Sequence, residues 1–133
     1  MSSKSVLIHG LAASVAASLA LASAATLSGP TTPVNAASPP MAQKVSGQRA
    51  TQSVQETDLL QFQPPTTRVM TGDVVEWINV GSVAHNVTFD QDPGITSGTM
   101  NHGDRHQVRF LMAGTYRYHC TFHPGMDGVV TVA

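Results

Sequence analysis

The chain has 133 residues, enough for one domain or one domain with a tail. Its 7 Lys and Arg against 8 Asp and Glu leave a formal net charge of -1, which excludes the basic surplus that an electrostatic nucleic-acid binder needs. A single cysteine, Cys120, excludes an internal disulfide, while six histidines and six methionines form a generous stock of borderline and soft metal ligands.

The front of the chain reads as an address. Lys4 is followed by an uncharged Ala-, Leu- and Ser-rich stretch, Leu11–Leu27, and no further charged residue appears before Lys44. Small residues offer cleavage after Ala24 or after Ala36. This predicts a secretory signal peptide over 1–24, with processing as late as residue 36 as the alternative. A retained membrane anchor is the competing reading, but the stretch falls short of the roughly 20 mostly apolar residues that a span requires. No stable membrane span is therefore expected after processing, and the mature protein is expected in a periplasm or secreted. In such an oxidising compartment a cysteine without a partner gains interest as a metal ligand. Residues 25–53, punctuated by Pro30, Pro33, Pro39 and Pro40, read as a disordered Pro/Ser/Ala-rich linker. A first strand near 44–50 carries little signal.

From residue 54 to 133 the texture is that of a small all-β domain. Strand-sized runs at 55–62, 67–70, 74–78, 86–89, 107–111, 115–120 and 128–132 are separated by Gly, Pro, Asn and Asp. In the third run Val74, Glu76 and Ile78 alternate with Val75 and Trp77. A long loop spans 90–104, with Asp92-Pro93-Gly94 as a turn. No segment carries a 3.6-residue period. The expected fold is a Greek-key β-sandwich of seven or eight strands. A core of this size is thin, and such domains often draw stability from a metal.

The chemistry concentrates in Cys120-Thr121-Phe122-His123-Pro124-Gly125-Met126. Cys120, His123 and Met126 stand at i, i+3 and i+6. A strand places i and i+3 on opposite faces, whereas a tight loop bent at Pro124-Gly125 brings all three together. Thiolate, imidazole and thioether together suit copper better than zinc; two histidines and a cysteine with a weak axial methionine form the blue-copper electron-transfer site. The second histidine must come from elsewhere in the chain. His85, at a strand–loop junction ahead of Asn86-Val87-Thr88-Phe89, is the best candidate.

At this point the sequence resembles the small blue-copper proteins, cupredoxins of the plastocyanin and amicyanin type. Residues 64–77 (PPTTRVMTGDVVEW) resemble the family's early strand, Gly-Asp turn and Trp-bearing strand. His85-Asn86 resembles its first histidine ligand and the asparagine that ties two copper loops together. Residues 113–120 (AGTYRYHC) resemble its penultimate strand. The two-residue gap between His123 and Met126 is similar to that of the amicyanin type, although Phe122 stands where that type carries proline. The resemblance implies one copper ion held by His85, Cys120, His123 and Met126. It implies a monomer cycling between Cu(I) and Cu(II) with transient redox partner proteins, and an Asn86 that orients ligands without touching metal.

Two other readings compete with this one. Multicopper oxidases and copper nitrite reductases use a histidine beside the copper cysteine, as His119 is here, but this chain has neither a His-x-His pair nor a second such domain. No enzymatic activity is expected. A copper store would favour several exchangeable sites, and this chain offers one closed site. His119, by strand alternation, is expected to point outward, and His102 and His106 are expected to face solvent. Ala84, Pro124 and Val83 are expected to form an apolar patch around the His123 edge, with His85 buried.

Overall fold

The computed structural model describes residues 40–133. The expected leader, 1–24 or to 36, and the linker up to residue 39 lie outside the described residues.

Among the described residues nine strands form two sheets: β1 (Ala42–Val45), β2 (Gln52–Glu56), β3 (Phe62–Gln63), β4 (Thr66–Val69), β5 (Val74–Asn79), β6 (Thr88–Phe89), β7 (Arg105–Phe110), β8 (Gly114–His119) and β9 (Asp127–Val132). One sheet runs β1-β7-β5-β2-β3 and the other β4-β9-β8-β6. Most neighbours are antiparallel, but β2 pairs with β5 and β4 with β9 in parallel. Parallel neighbours cannot be joined by a tight hairpin, so the chain crosses between the sheets, and the all-β sandwich is the outcome.

The strand count exceeds the expected seven or eight for two local reasons. The run expected at 55–62 breaks into β2 and β3. Between them Leu60 adopts a positive φ of 55°, its N–H donates to Thr57 O at 3.0 Å, and Thr57 N–H donates to Gln61 O at 3.2 Å. The second reason is β1, which lies inside the stretch expected to be a linker. Its four residues bury little beyond Ala42, and its place comes from backbone pairing with β7, in register Ala42↔Phe110 to Val45↔Gln107. A strand held mainly by main-chain hydrogen bonds leaves almost no hydrophobic pattern to read. The ordered sandwich therefore starts about a dozen residues before residue 54.

Alternation fills the space between the sheets. Val75 and Trp77 of β5, Val108 and Phe110 of β7, Tyr116 and Tyr118 of β8, and Val130 of β9 all point inward and are buried. Trp77 meets Tyr118 edge-on, with ring centroids 5.2 Å apart, and Phe89 likewise at 5.6 Å. Phe62 closes the cluster against Tyr118 at 4.7 Å. Such edge-to-face contacts contribute about 0.5–1.5 kcal/mol each beyond the area they bury. In the β8–β9 register Tyr118 faces Gly128, whose missing side chain is what lets the tyrosine ring lie over the strand.

Candidate metal centre

Two segments meet at one end of the sandwich. The first carries His85. Asn79, the last residue of β5, is fully buried. Its Nδ2 donates to Val83 O and Met100 O, both at 2.8 Å, and its Oδ1 accepts from Gly81 N at 2.9 Å. The loop that follows is thereby pinned before His85, whose own backbone exchanges hydrogen bonds with Met100 at 3.0 and 2.8 Å. The imidazole is fully buried.

The second segment is the loop after β8. Cys120 continues the inward face of Tyr116 and Tyr118. Its N–H donates to Met126 O at 3.0 Å, and Met126 N–H donates to His123 O at 3.1 Å. These two bonds close residues 120–126 into a ring. Gly125 supplies the positive φ, 87°, that the return requires. This is the tight loop expected from the spacing, and Pro124-Gly125 forms its bend.

Three donor atoms converge. Cys120 Sγ lies 3.4 Å from His123 Nδ1 and 4.0 Å from His85 Nδ1. The ligand atoms of the three residues all lie within 4.8 Å of one another. Metal–nitrogen and metal–sulfur bonds of roughly 2.0–2.3 Å place donors on a shared ion roughly 3.3–3.8 Å apart, so a contraction of about 1 Å or less would let this trio hold one ion. The Met126 side chain is 2% exposed and belongs to the same buried cluster as Cys120. The His85 ring is held below the ordinary imidazole pKa, first by burial and then by the nearby His123. A depressed pKa keeps the ring neutral, and neutral imidazole is the form that binds metal.

Asn86 joins the two segments. Its Nδ2 donates to Thr121 Oγ1 at 2.6 Å, and its Oδ1 accepts from Thr121 N at 2.9 Å. His123, unlike His85 and Cys120, is only part-buried. Phe122 and Pro124, its neighbours in the chain, are exposed, as is Val83, and Ala84 next to His85 is half-buried. Leu59 and Leu60 add to the exposed apolar surface. A groove of about 400 Å³, lined by Leu60, Gln61, Phe62, Pro65, Gly125 and Met126, brings the β2–β3 turn alongside the ligand loop. The sequence reading missed Leu59 and Leu60, because it placed them within a strand.

The remaining histidines divide. His119 is part-exposed and its Nδ1 lies 2.8 Å from Asp90 Oδ1. His102 is exposed, with Nδ1 3.0 Å from Gly81 O. His106 corrects the expectation of a solvent-facing ring: it is 7% exposed, and its Nε2–H donates to Ile95 O at 2.8 Å. Burial pushes its pKa down to about 4. The signal was available, since His106, Val108 and Phe110 share one face of β7. Asn79 was missed for a similar reason, although Trp77 and Asn79 share one face of β5.

Residues 48–133 match the sequence model of the family described as copper binding proteins, plastocyanin/azurin family. Among curated proteins, amicyanin-alpha of Methylorubrum extorquens is 39% identical over 77 residues, covering 55% of this chain and 65% of that protein. Plastocyanin of Scenedesmus fuscus is 32% identical over 89 residues, covering 58% of this chain and 91% of that protein. Amicyanin of Paracoccus denitrificans is 36% identical, and the match spans 59% of its length. Among solved structures, a reduced amicyanin carrying a proline-to-phenylalanine substitution superposes with a TM-score of 0.61 at 31% identity, over 71% of this chain and all of that one. A purple cupredoxin from Nitrosopumilus maritimus gives a TM-score of 0.57 at 29% identity, over 64% of this chain. With the family pattern matched over more than half of its length and the fold shared, the chain belongs to the plastocyanin/azurin family of copper-binding proteins.

Proposed function

We propose that this protein is a mononuclear blue-copper electron carrier working outside the cytoplasm, with His85, Cys120, His123 and Met126 as its metal ligands. The observation that carries the reading is the convergence of one nitrogen from each of two imidazoles and one cysteine sulfur within 4.8 Å, beside a buried Met126. Bound copper supplies one-electron chemistry by alternating between Cu(I) and Cu(II). Cys120 would supply a thiolate, His85 and His123 two imidazoles, and Met126 a weaker thioether donor. The protein's part is to hold these side chains still. Asn79 fixes the approach to His85, the closed 120–126 ring fixes the other three, and Asn86 ties the two together. Ligands that do not move between oxidation states cost little reorganisation.

Partners exchange electrons at the His123 edge, the part-buried corner of the site, through the apolar rim formed by Val83, Ala84, Phe122 and Pro124. The described residues carry six Lys and Arg against eight Asp and Glu, so charge steers an encounter while apolar contact holds it. The chain turns over no substrate. It acts as a monomer with redox protein partners, in a periplasm or after secretion.

The test is the visible spectrum of the copper-loaded protein before and after ascorbate. Intense charge-transfer absorption that bleaches on reduction, and that is absent from a folded Cys120→Ser variant, is expected. A colourless oxidised copper-loaded protein overturns the reading.

A further inference from the structure

The core holds a carboxylic acid that the metal site does not use. Glu56 is fully buried, with both carboxyl oxygens lacking a hydrogen-bond partner among the described residues. It ends β2 on the inward face, opposite Phe62 in one pairing and Asn79 in the other. The Tyr118 hydroxyl and the Trp77 indole nitrogen are among the other buried polar atoms that lack partners. The Glu56 charge reaches Tyr118, because it helps to raise the pKa of that phenol, after the larger effect of burial. Tyr118 is two residues from Cys120 on the same face of β8, a spacing of roughly 7 Å. The groove beside the ligand loop is lined by Phe62, the residue paired with Glu56.

Among the described residues no Lys or Arg is buried with Glu56. The buried residues on these elements are Trp77 and Asn79 from β5, Phe62 from β3, Thr67 and Val69 from β4, Tyr118 from β8 with Cys120 just after it, and Gly128 and Val130 from β9; the buried His85 ring, on the loop after β5, is held neutral by its lowered pKa. Asp58, two residues on, is exposed and held by Ser82. Glu76 points away and bonds Arg105 and Gln107. A carboxylate in such surroundings has nothing to balance its charge except a proton.

We propose that Glu56 is a redox-linked proton site, taking up a proton when the metal centre is reduced and releasing it on oxidation. As one electron enters from a reduced donor protein, one proton from solvent forms an O–H bond on a Glu56 carboxylate oxygen, and nothing else is made or broken. Reoxidation returns both. The driving force is the loss of one positive charge at the centre. Charges about 10 Å apart at an effective dielectric constant of about 20 change each other's proton affinity roughly tenfold. Burial alone pushes the Glu56 pKa up to about 7, which puts the exchange near neutrality.

The inference rests on the blue-copper reading, and the experiment separates the two. Infrared spectra of the metal-free protein are expected to show the carbonyl stretch of a buried protonated carboxylic acid at pH 6, absent from Glu56→Gln; its absence from the wild type overturns the proposal whatever the metal does. The reduced-minus-oxidised infrared spectrum of the copper-loaded wild type at pH 7 is expected to show the same band gaining on reduction. The midpoint potential is expected to fall by about 59 mV across the window around pH 7, the equivalent of a tenfold affinity change in a one-electron couple, and Glu56→Gln to flatten that step. An unchanged step in Glu56→Gln, or no band in the difference spectrum, overturns the proton linkage. Failure to find any reversible couple overturns the carrier reading itself, and the linkage with it.

Discussion

Asn86 and Thr121 are bonded twice, side chain to side chain at 2.6 Å and side chain to main chain at 2.9 Å, across 35 residues of sequence. This pair is what holds the His85 segment against the Cys120 loop. Asn86→Ala removes both bonds and leaves the Thr121 N–H without its acceptor, which costs about 1–3 kcal/mol. The melting temperature of the metal-free protein is expected to fall by several degrees, and copper affinity by about 10- to 100-fold. Thermal melts and competition with a chelator check this; a variant indistinguishable from wild type in both would show the tie to be inert.

Met126 and His85 are both buried, yet their substitution is expected to differ in kind. Met126→Gln keeps a donor at the axial position, so the copper-loaded protein is expected to stay coloured with a shifted potential. His85→Ala removes an in-plane donor and is expected to release copper to a chelator. Equal loss from both variants would contradict the axial assignment.

The part-exposed His123 edge and the outward His119 compete as electron ports. Ala84→Glu places a charge on the apolar rim and is expected to slow electron self-exchange about tenfold or more. His119→Ala breaks only the contact with Asp90 and is expected to leave the rate nearly unchanged. The opposite pattern, measured by line broadening in mixtures of the two oxidation states, would move the port to His119.

Gly128 has no room for a side chain, because a Cβ there would overlap the Tyr118 ring. Gly128→Ala must push that ring out of its contacts with Phe62 and Trp77. A loss of about 1–3 kcal/mol is expected, read as a lower denaturant midpoint.

Two of the buried titratable side chains, Glu56 and His106, pull the pH profile in opposite directions. The folded pKa of Glu56 is about 7 against an ordinary 4.5, so its stabilising effect is full below pH 4.5 and lost as pH rises through 7. His106 titrates near 4 when folded against an ordinary 6.5, so stability is lost as pH falls from 6.5 towards 4. Each shift corresponds to about 3 kcal/mol. Between about pH 4.5 and 6.5 the two slopes cancel. Metal-free Glu56→Gln is expected to gain stability relative to wild type as pH rises, and His106→Gln to gain as pH falls. Denaturant titrations of the metal-free proteins at pH 5, 6 and 7 test both signs.

How legible this was in the sequence depended on whether the information was local. Cys120, His123 and Met126 lie within seven residues, so one loop shape explained them. His85 followed from the need for a second imidazole and from its place at a strand junction. Val75 and Trp77 were assigned to one face by alternation alone, and that face is inward. The same rule applied to β7 and β2 would have put His106 and Glu56 inside. A polar residue is expected outside, however, and only the surrounding packing shows that its neighbours leave it no other direction. The β2–β3 turn escaped notice because Leu59 and Leu60 look like strand residues, and the backbone reversal at Leu60 has no glycine or proline to mark it.

Strand β1 has a consequence for how the protein can be shortened. It covers the outer row of β7, pairing from Ala42 to Val45. A chain begun at Val54, where the hydrophobic pattern starts, would leave the N–H and C=O groups of β7 open beside Val108 and Phe110. Exposed rows of that kind recruit other chains edge to edge. The bland segment ahead of the patterned region therefore acts as a guard, and the safe place to cut lies before residue 40.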